Sequence, residues 1–85
     1  MITKEELLSK IRPSKRPSHI RKGQYIFNWI DQHYQIPEQF NFKNCSIARQ
    51  VQFVDKIDCF YDDSKIDEFL DACLIRINNP IRISK

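Results

Sequence analysis

The sequence predicts an all-α fold: a small bundle of three main helices, with a fourth short helix or a short strand at 46–54. Three observations predict it. Apolar residues recur at the helical spacing i, i+3, i+4 over 20–34 and again over 66–77. Helix-starting residues, Thr3 with Glu6 and Ser64 with Asp67, stand before two of the apolar patterns. Pro13, Pro37 and Pro80 punctuate the chain where those patterns stop. Eighty-five residues are read as one domain, 1–85. A chain of this size buries about 60–65% of its unfolded surface, so its stability is expected to be a few kcal/mol.

The first helix starts at Thr3, with Glu6 completing a capping box and Ile2 placed to staple onto Leu7. Leu7, Leu8 and Ile11 form its apolar face, and Pro13 ends it. Residues 12–18, with two prolines, read as an exposed basic linker. Ser18 is the expected N-cap of the central helix, which carries the only Trp and the only Gly of the chain. Ile20, Gly23, Phe27, Ile30 and Tyr34 make its buried face, widened by Ile26 and Trp29. Beside that face runs a polar stripe, Arg21, Gln24, Asn28 and Asp31. The helix is expected to end near Gln35, because Pro37 disfavours a helical Ile36.

Residues 37–44 are a connector from which Phe40 and Phe42 are expected to enter the core. In 45–54, Ile47, Val51 and Val54 fit a helix capped by Ser46, while Val51 and Phe53 between glutamines fit a strand. A lone strand lacks an obvious partner, which favours the helix. Residues 55–63 read as a turn with aromatic anchors. The last helix is expected to be capped by Ser64, to bury Ile66, Phe69, Leu70, Cys73, Leu74 and Ile77, and to stop at Asn78-Asn79-Pro80. Asp67, Glu68 and Asp71 near its start and Arg76 near its end suit the helix dipole. The tail, 80–85, is expected to fray.

Charge is unevenly spread. Lys10, Arg12, Lys15, Arg16, Arg21 and Lys22 fall within 10–22, which holds no acid, whereas 55–71 is strongly acidic. The longest apolar run, Ala72 to Ile75, is too short for a membrane span or a signal-peptide core, so a cytoplasmic protein is expected.

The chemistry-bearing side chains do not assemble a recognisable catalytic motif. His19, His33 and the three cysteines are the candidate acid/base or nucleophilic groups. One glycine cannot make a glycine-rich phosphate loop. Cys45, Cys59 and Cys73 lack a C-x-x-C pair; reduced, buried thiols are expected rather than disulfides or zinc. Asp55, Asp58, Asp62 and Asp63 lack the alternation and the glycine of a calcium loop. No enzymatic activity, cofactor or metal is therefore predicted.

Two stretches carry a resemblance. Arg21-x-Gly23-Gln24-x-x-Phe27-Asn28, followed by Asp58-Cys59-Phe60-Tyr61-Asp62-Asp63-Ser64 before a last helix, resembles a pattern in a group of short uncharacterised proteins of bacterial and phage genomes. The group has no established activity. The resemblance implies a phage or mobile-element accessory protein that acts by binding.

The expected function is thus a small binding module that contacts a larger host or viral protein, with Arg21, Gln24, Asn28, Trp29, Phe60 and Tyr61 as partner-binding candidates. The alternative is a nucleic-acid-binding accessory protein using Lys10, Arg12, Lys15, Arg16, Arg21 and Lys22. An exposed patch with Trp29, Phe60 or Tyr61 would favour the protein partner. A basic patch continuous with Arg82 and Lys85 would favour nucleic acid. The polar stripe has a structural reading as well: Arg21, Gln24 and Asn28 would hold the 58–63 turn, Arg21 pairing with Asp58 or Asp62 and Phe60 or Tyr61 packing on Phe27.

Overall fold

The computed structural model describes residues 1–35 and 46–79. Within them the chain is all-α: α1 (Lys4–Ile11), α2 (Lys22–His33), α3 (Ile47–Phe53) and α4 (Ile66–Asn78), with 3-10 turns at Pro13–Lys15 and Asp63–Lys65. The segment left open between helix and strand is the helix α3. Phe40, Phe42, Cys45, the Pro37 connector and the 80–85 tail lie outside the described residues.

α1 begins as its sequence dictates. The Glu6 amide donates to the Thr3 hydroxyl and the Glu6 carboxylate accepts from the Thr3 amide, a complete capping box. That amide holds the Glu6 carboxyl below its usual range. Arg12 then turns left-handed, φ 56°, and ends the helix.

The basic segment is more ordered than a linker. Pro13 opens a 3-10 turn, a position where its missing N–H costs nothing. Arg16 closes the loop by donating from Nε to the Ile20 carbonyl and from Nη1 to the Pro13 carbonyl, both at 3.1 Å.

α2 starts three residues later than its expected cap allows. The Ile20 amide bonds the Pro17 carbonyl in a tight turn, and Arg21 is extended, so Arg21 rather than Ser18 precedes the helix. It also stops at His33, two residues short of Gln35. Beyond it a single antiparallel bridge joins Gln35 to Ser46.

Ser46 caps α3 through its hydroxyl, which accepts from the Arg49 amide. The same hydroxyl donates to Asp31 on α2, and Arg49 Nε donates to that carboxylate at 3.0 Å. Before α4 the cap differs from the expectation. Asp62, not Ser64, accepts from the Ser64 amide and hydroxyl, and its 3-10 turn leads into α4. An Asp in extended backbone reaches the amide two residues on, whereas Ser64 is already inside the turn.

One core joins all four helices: Leu7 and Ile11, Ile26, Phe27 and Ile30, Ala48 and Val51, then Phe69, Leu70, Ala72 and Cys73, with Cys59 from the turn between α3 and α4. Phe69 and Phe27 meet at 5.6 Å between ring centres. Two polar ties fasten the periphery. Arg76 grips Asp55 with both terminal nitrogens, at 2.6 and 2.9 Å, and reaches Gln50 with Nε at 3.3 Å, binding α4 to the end of α3. Asn78 accepts from the Ile2 amide and donates to the Ile2 carbonyl, both at 2.9 Å, while Lys4 bridges Asp67 and Asp71. Among the described residues no helix is long and apolar enough to cross a membrane.

Candidate functional site

The aromatic turn is seated on the first turn of α2. Asp58 Oδ1 accepts from the Phe60 amide at 2.9 Å and folds the turn on itself. Cys59 is buried and its thiol donates to the Gly23 carbonyl at 3.3 Å. Arg21 Nη2 donates to the Phe60 carbonyl at 2.7 Å. Asp63 Oδ1 accepts from the Gly23 amide at 3.0 Å, so a carboxylate forty residues away caps α2. Asp63 thereby supplies what α2 lacks locally, since its first turn holds no acid and Arg21 cannot cap with its own side chain.

This geometry corrects the expected roles of the polar stripe. Arg21 holds the turn through a backbone carbonyl, not by pairing with Asp58 or Asp62. Its remaining bonds come from Gly23. Gln24 and Asn28 are half-buried and make no hydrogen bond to the turn among the described residues. The physical reason is the missing side chain of Gly23: a Cβ there would overlap the Cys59 carbonyl oxygen and sit 2.7 Å from Asp63 Oδ1. Backbone can therefore approach backbone directly, and no longer side chains are needed to bridge the gap. The aromatic part of the expectation holds. Phe60 meets Phe27 edge-on, 5.4 Å between centres at 84°.

Tyr61 stacks its edge against Phe60 at 4.8 Å and is 69% exposed, on a turn fixed at both sides. Trp29 is not part of this patch. Two residues beyond Phe27, it lies about 160° around the helix at ~100° per residue. There it stacks on His33, 4.0 Å and 10° between rings, and leans on Tyr34. His33 Nδ1 lies 2.8 Å from the Trp29 carbonyl; that oxygen only accepts, so Nδ1 carries the proton. Of the six partner-binding candidates, Arg21, Phe60 and Tyr61 thus meet at the docked turn, Trp29 lies on the opposite flank, and Gln24 and Asn28 are half-buried on α2 without a bond to the turn among the described residues.

The basic candidates are all exposed. Arg16 and Arg21 use their guanidinium groups on backbone carbonyls. Lys10, Arg12, Lys15 and Lys22 make no ion pair among the described residues. The charge separation read from the sequence is smaller in space. The Asp62 carboxyl is held below its usual range first by Ser64, with Arg21 contributing less, so acid and base adjoin at this corner.

The candidate catalytic groups do not converge. His19 is exposed in the basic loop, and His33 belongs to the aromatic stack. Cys59 and Cys73 are free and buried. Burial, with help from Asp58, pushes the Cys59 thiol up to about 12, and burial raises Cys73 as well. Such thiols are small hydrophobes rather than nucleophiles. No group of three His, Cys, Asp or Glu among the described residues is arranged to hold a metal ion.

Sequence reasoning missed Asp63 as a cap and Gly23 as a seat. A lone glycine early in a helical pattern was the available signal. Comparison with family models, curated proteins and solved structures found no match.

Proposed function

We propose that this chain is a small non-enzymatic binding module, an accessory protein of phage or mobile-element origin, that contacts a larger host or viral protein through the Phe60–Tyr61 turn. The origin rests on the resemblance of the two motifs that form this corner. The contact rests on one observation: Tyr61 stands 69% exposed on a turn whose backbone is tied down by Arg21 and Asp63. An exposed Tyr on a fixed backbone loses little freedom on binding and buries much area, which is why such residues dominate interface energetics. Arg21 beside it adds a charge that can meet an acidic partner.

The test is recovery of partners from native-host lysate by wild type and Tyr61→Ala, quantified by mass spectrometry. Removing a central aromatic anchor costs about 2 kcal/mol or more, so the variant should retain the partner at least ~30-fold less tightly while melting like wild type. Equal recovery by both proteins would remove the turn from the interface.

A further inference from the structure

We propose that the loop between α1 and α2 is a prefolded binding surface for the phosphate backbone of double-stranded nucleic acid, independent of base sequence. Four cations carry it: Lys10 from the last turn of α1, Arg12 from its left-handed cap, Lys15 from the 3-10 turn and Lys22 from the first turn of α2. All four are exposed. Their backbone is already ordered, because Arg16 ties Pro13 to Ile20 across the loop. Binding therefore does not have to order a flexible segment.

None of the four makes an ion pair among the described residues. The acids near at hand have other partners. Asp31 is taken by Arg49, Asp55 by Arg76, and Asp67 and Asp71 by Lys4. Asp58, Asp62 and Asp63 accept from backbone amides of the 58–64 turn and of α2 and keep their charge; Asp63, on the amide of the residue after Lys22, leaves Lys10, Arg12 and Lys15 as the cations farther from it in the chain. On α1, Glu6 lies one turn before Lys10 and feels it only weakly.

The surroundings select the kind of anion. The loop exposes no large apolar side chain that could enter a bilayer; Ile20, the one aliphatic residue between Arg12 and Lys22, is half-buried. It also holds no Phe, Tyr or Trp on which unpaired bases could stack. With His19 as its one aromatic ring, the loop offers more charge than stacking surface, which suits the regularly spaced phosphates of a duplex. This surface adjoins the Tyr61 turn at Lys22, but neither proposal depends on the other.

The experiment measures binding of the full chain to a labelled random-sequence DNA duplex across a salt series, beside a single strand of the same length and vesicles of anionic phosphatidylglycerol. Wild type should prefer the duplex, with affinity falling steeply as salt rises. Lys10→Gln, Lys15→Gln and Lys22→Gln combined should flatten the slope of log K against log salt by about 2.7, at ~0.9 per phosphate contact. Circular dichroism and melting of the variant should match wild type, since none of the three side chains makes an ion pair among the described residues. Tighter binding to single strands or vesicles, no duplex binding at low salt, or an unchanged slope in the folded variant would each overturn the proposal. None of these outcomes bears on recovery of a protein partner through Tyr61.

Discussion

Gly23 and Cys59 meet twice across the contact between α2 and the aromatic turn, once by a hydrogen bond and once by close approach. The Cys59 thiol donates to the Gly23 carbonyl at 3.3 Å, and the Cys59 carbonyl occupies the space where a Gly23 side chain would be. The residue that weakens the helix pattern is thus the one that lets the turn dock.

Gly23→Ala sets two effects against each other. Alanine improves helix propensity by about 1 kcal/mol at an interior position. The added methyl also collides with backbone, which cannot rotate away as a side-chain end can, and overpacking of this kind costs about 1–3 kcal/mol or more. The turn would have to lift, taking the Asp63 cap and the Cys59 contact with it. The clash should win, for a net loss of about 2 kcal/mol in urea unfolding. A variant more stable than wild type would show that the turn is not seated on Gly23.

Asp55 gives the fold an acid-sensitive tie. Two hydrogen bonds from Arg76 hold its carboxyl below the usual carboxylate range, against the opposing effect of burial. A lowered folded pKa contributes stability that is present above the unfolded value, about 3.9, and is lost as pH falls through the folded value. Asp55→Asn should therefore cost about 1 kcal/mol at neutral pH, and the gap from wild type should close as pH falls below about 4. A gap that stays constant from neutral to acid pH would mean that the pair contributes no charge-dependent stability.

The buried thiols act at the other end of the pH scale. Both are raised, Cys59 to about 12. Their contribution is intact below the unfolded thiol value near 8.5 and is lost as pH rises towards the folded values, because only the unfolded chain ionises. Between these limits each thiol should steepen the fall in stability by up to about 1.4 kcal/mol per pH unit. Denaturation of wild type, Cys59→Ala and Cys73→Ala at neutral and alkaline pH would measure it, and each variant should show the shallower slope. Parallel pH profiles would place both thiols in contact with water in the native state.

The helices were legible because their signals are local. The capping box of Thr3 and Glu6, the cap at Ser46, the stop at Pro13 and the apolar face of α4 each lie within a few residues of what they determine. The starts of α2 and α4 were misread because local signals competed. Ser18 and Ser64 are good caps in isolation, but the Pro17–Ile20 turn and the Asx turn at Asp62 claim the backbone around them. The turn's attachment to α2 was legible only in outline. Phe60 on Phe27 followed from pairing two apolar surfaces, and Arg21 was placed correctly on the stripe. Gln24 and Asn28 look like bonding residues because they carry donors and acceptors, while Gly23 carries nothing to read. Its role arises from volume that is absent, and that shows only when the opposing backbone is in place.

The clasp between Asn78 and Ile2 fixes an order of events during synthesis. The side-chain amide of Asn78 takes both polar groups of the Ile2 backbone, as a neighbouring strand would, across 76 residues of sequence. Lys4 likewise waits for Asp67 and Asp71. α1 is made before α4, so its own capping box can hold its start at once, whereas the clasp and the Lys4 pairs have to wait for α4. Until α4 is made, Leu7 and Ile11 lack part of their cover, so the growing chain carries an amphipathic helix whose apolar face is only partly covered.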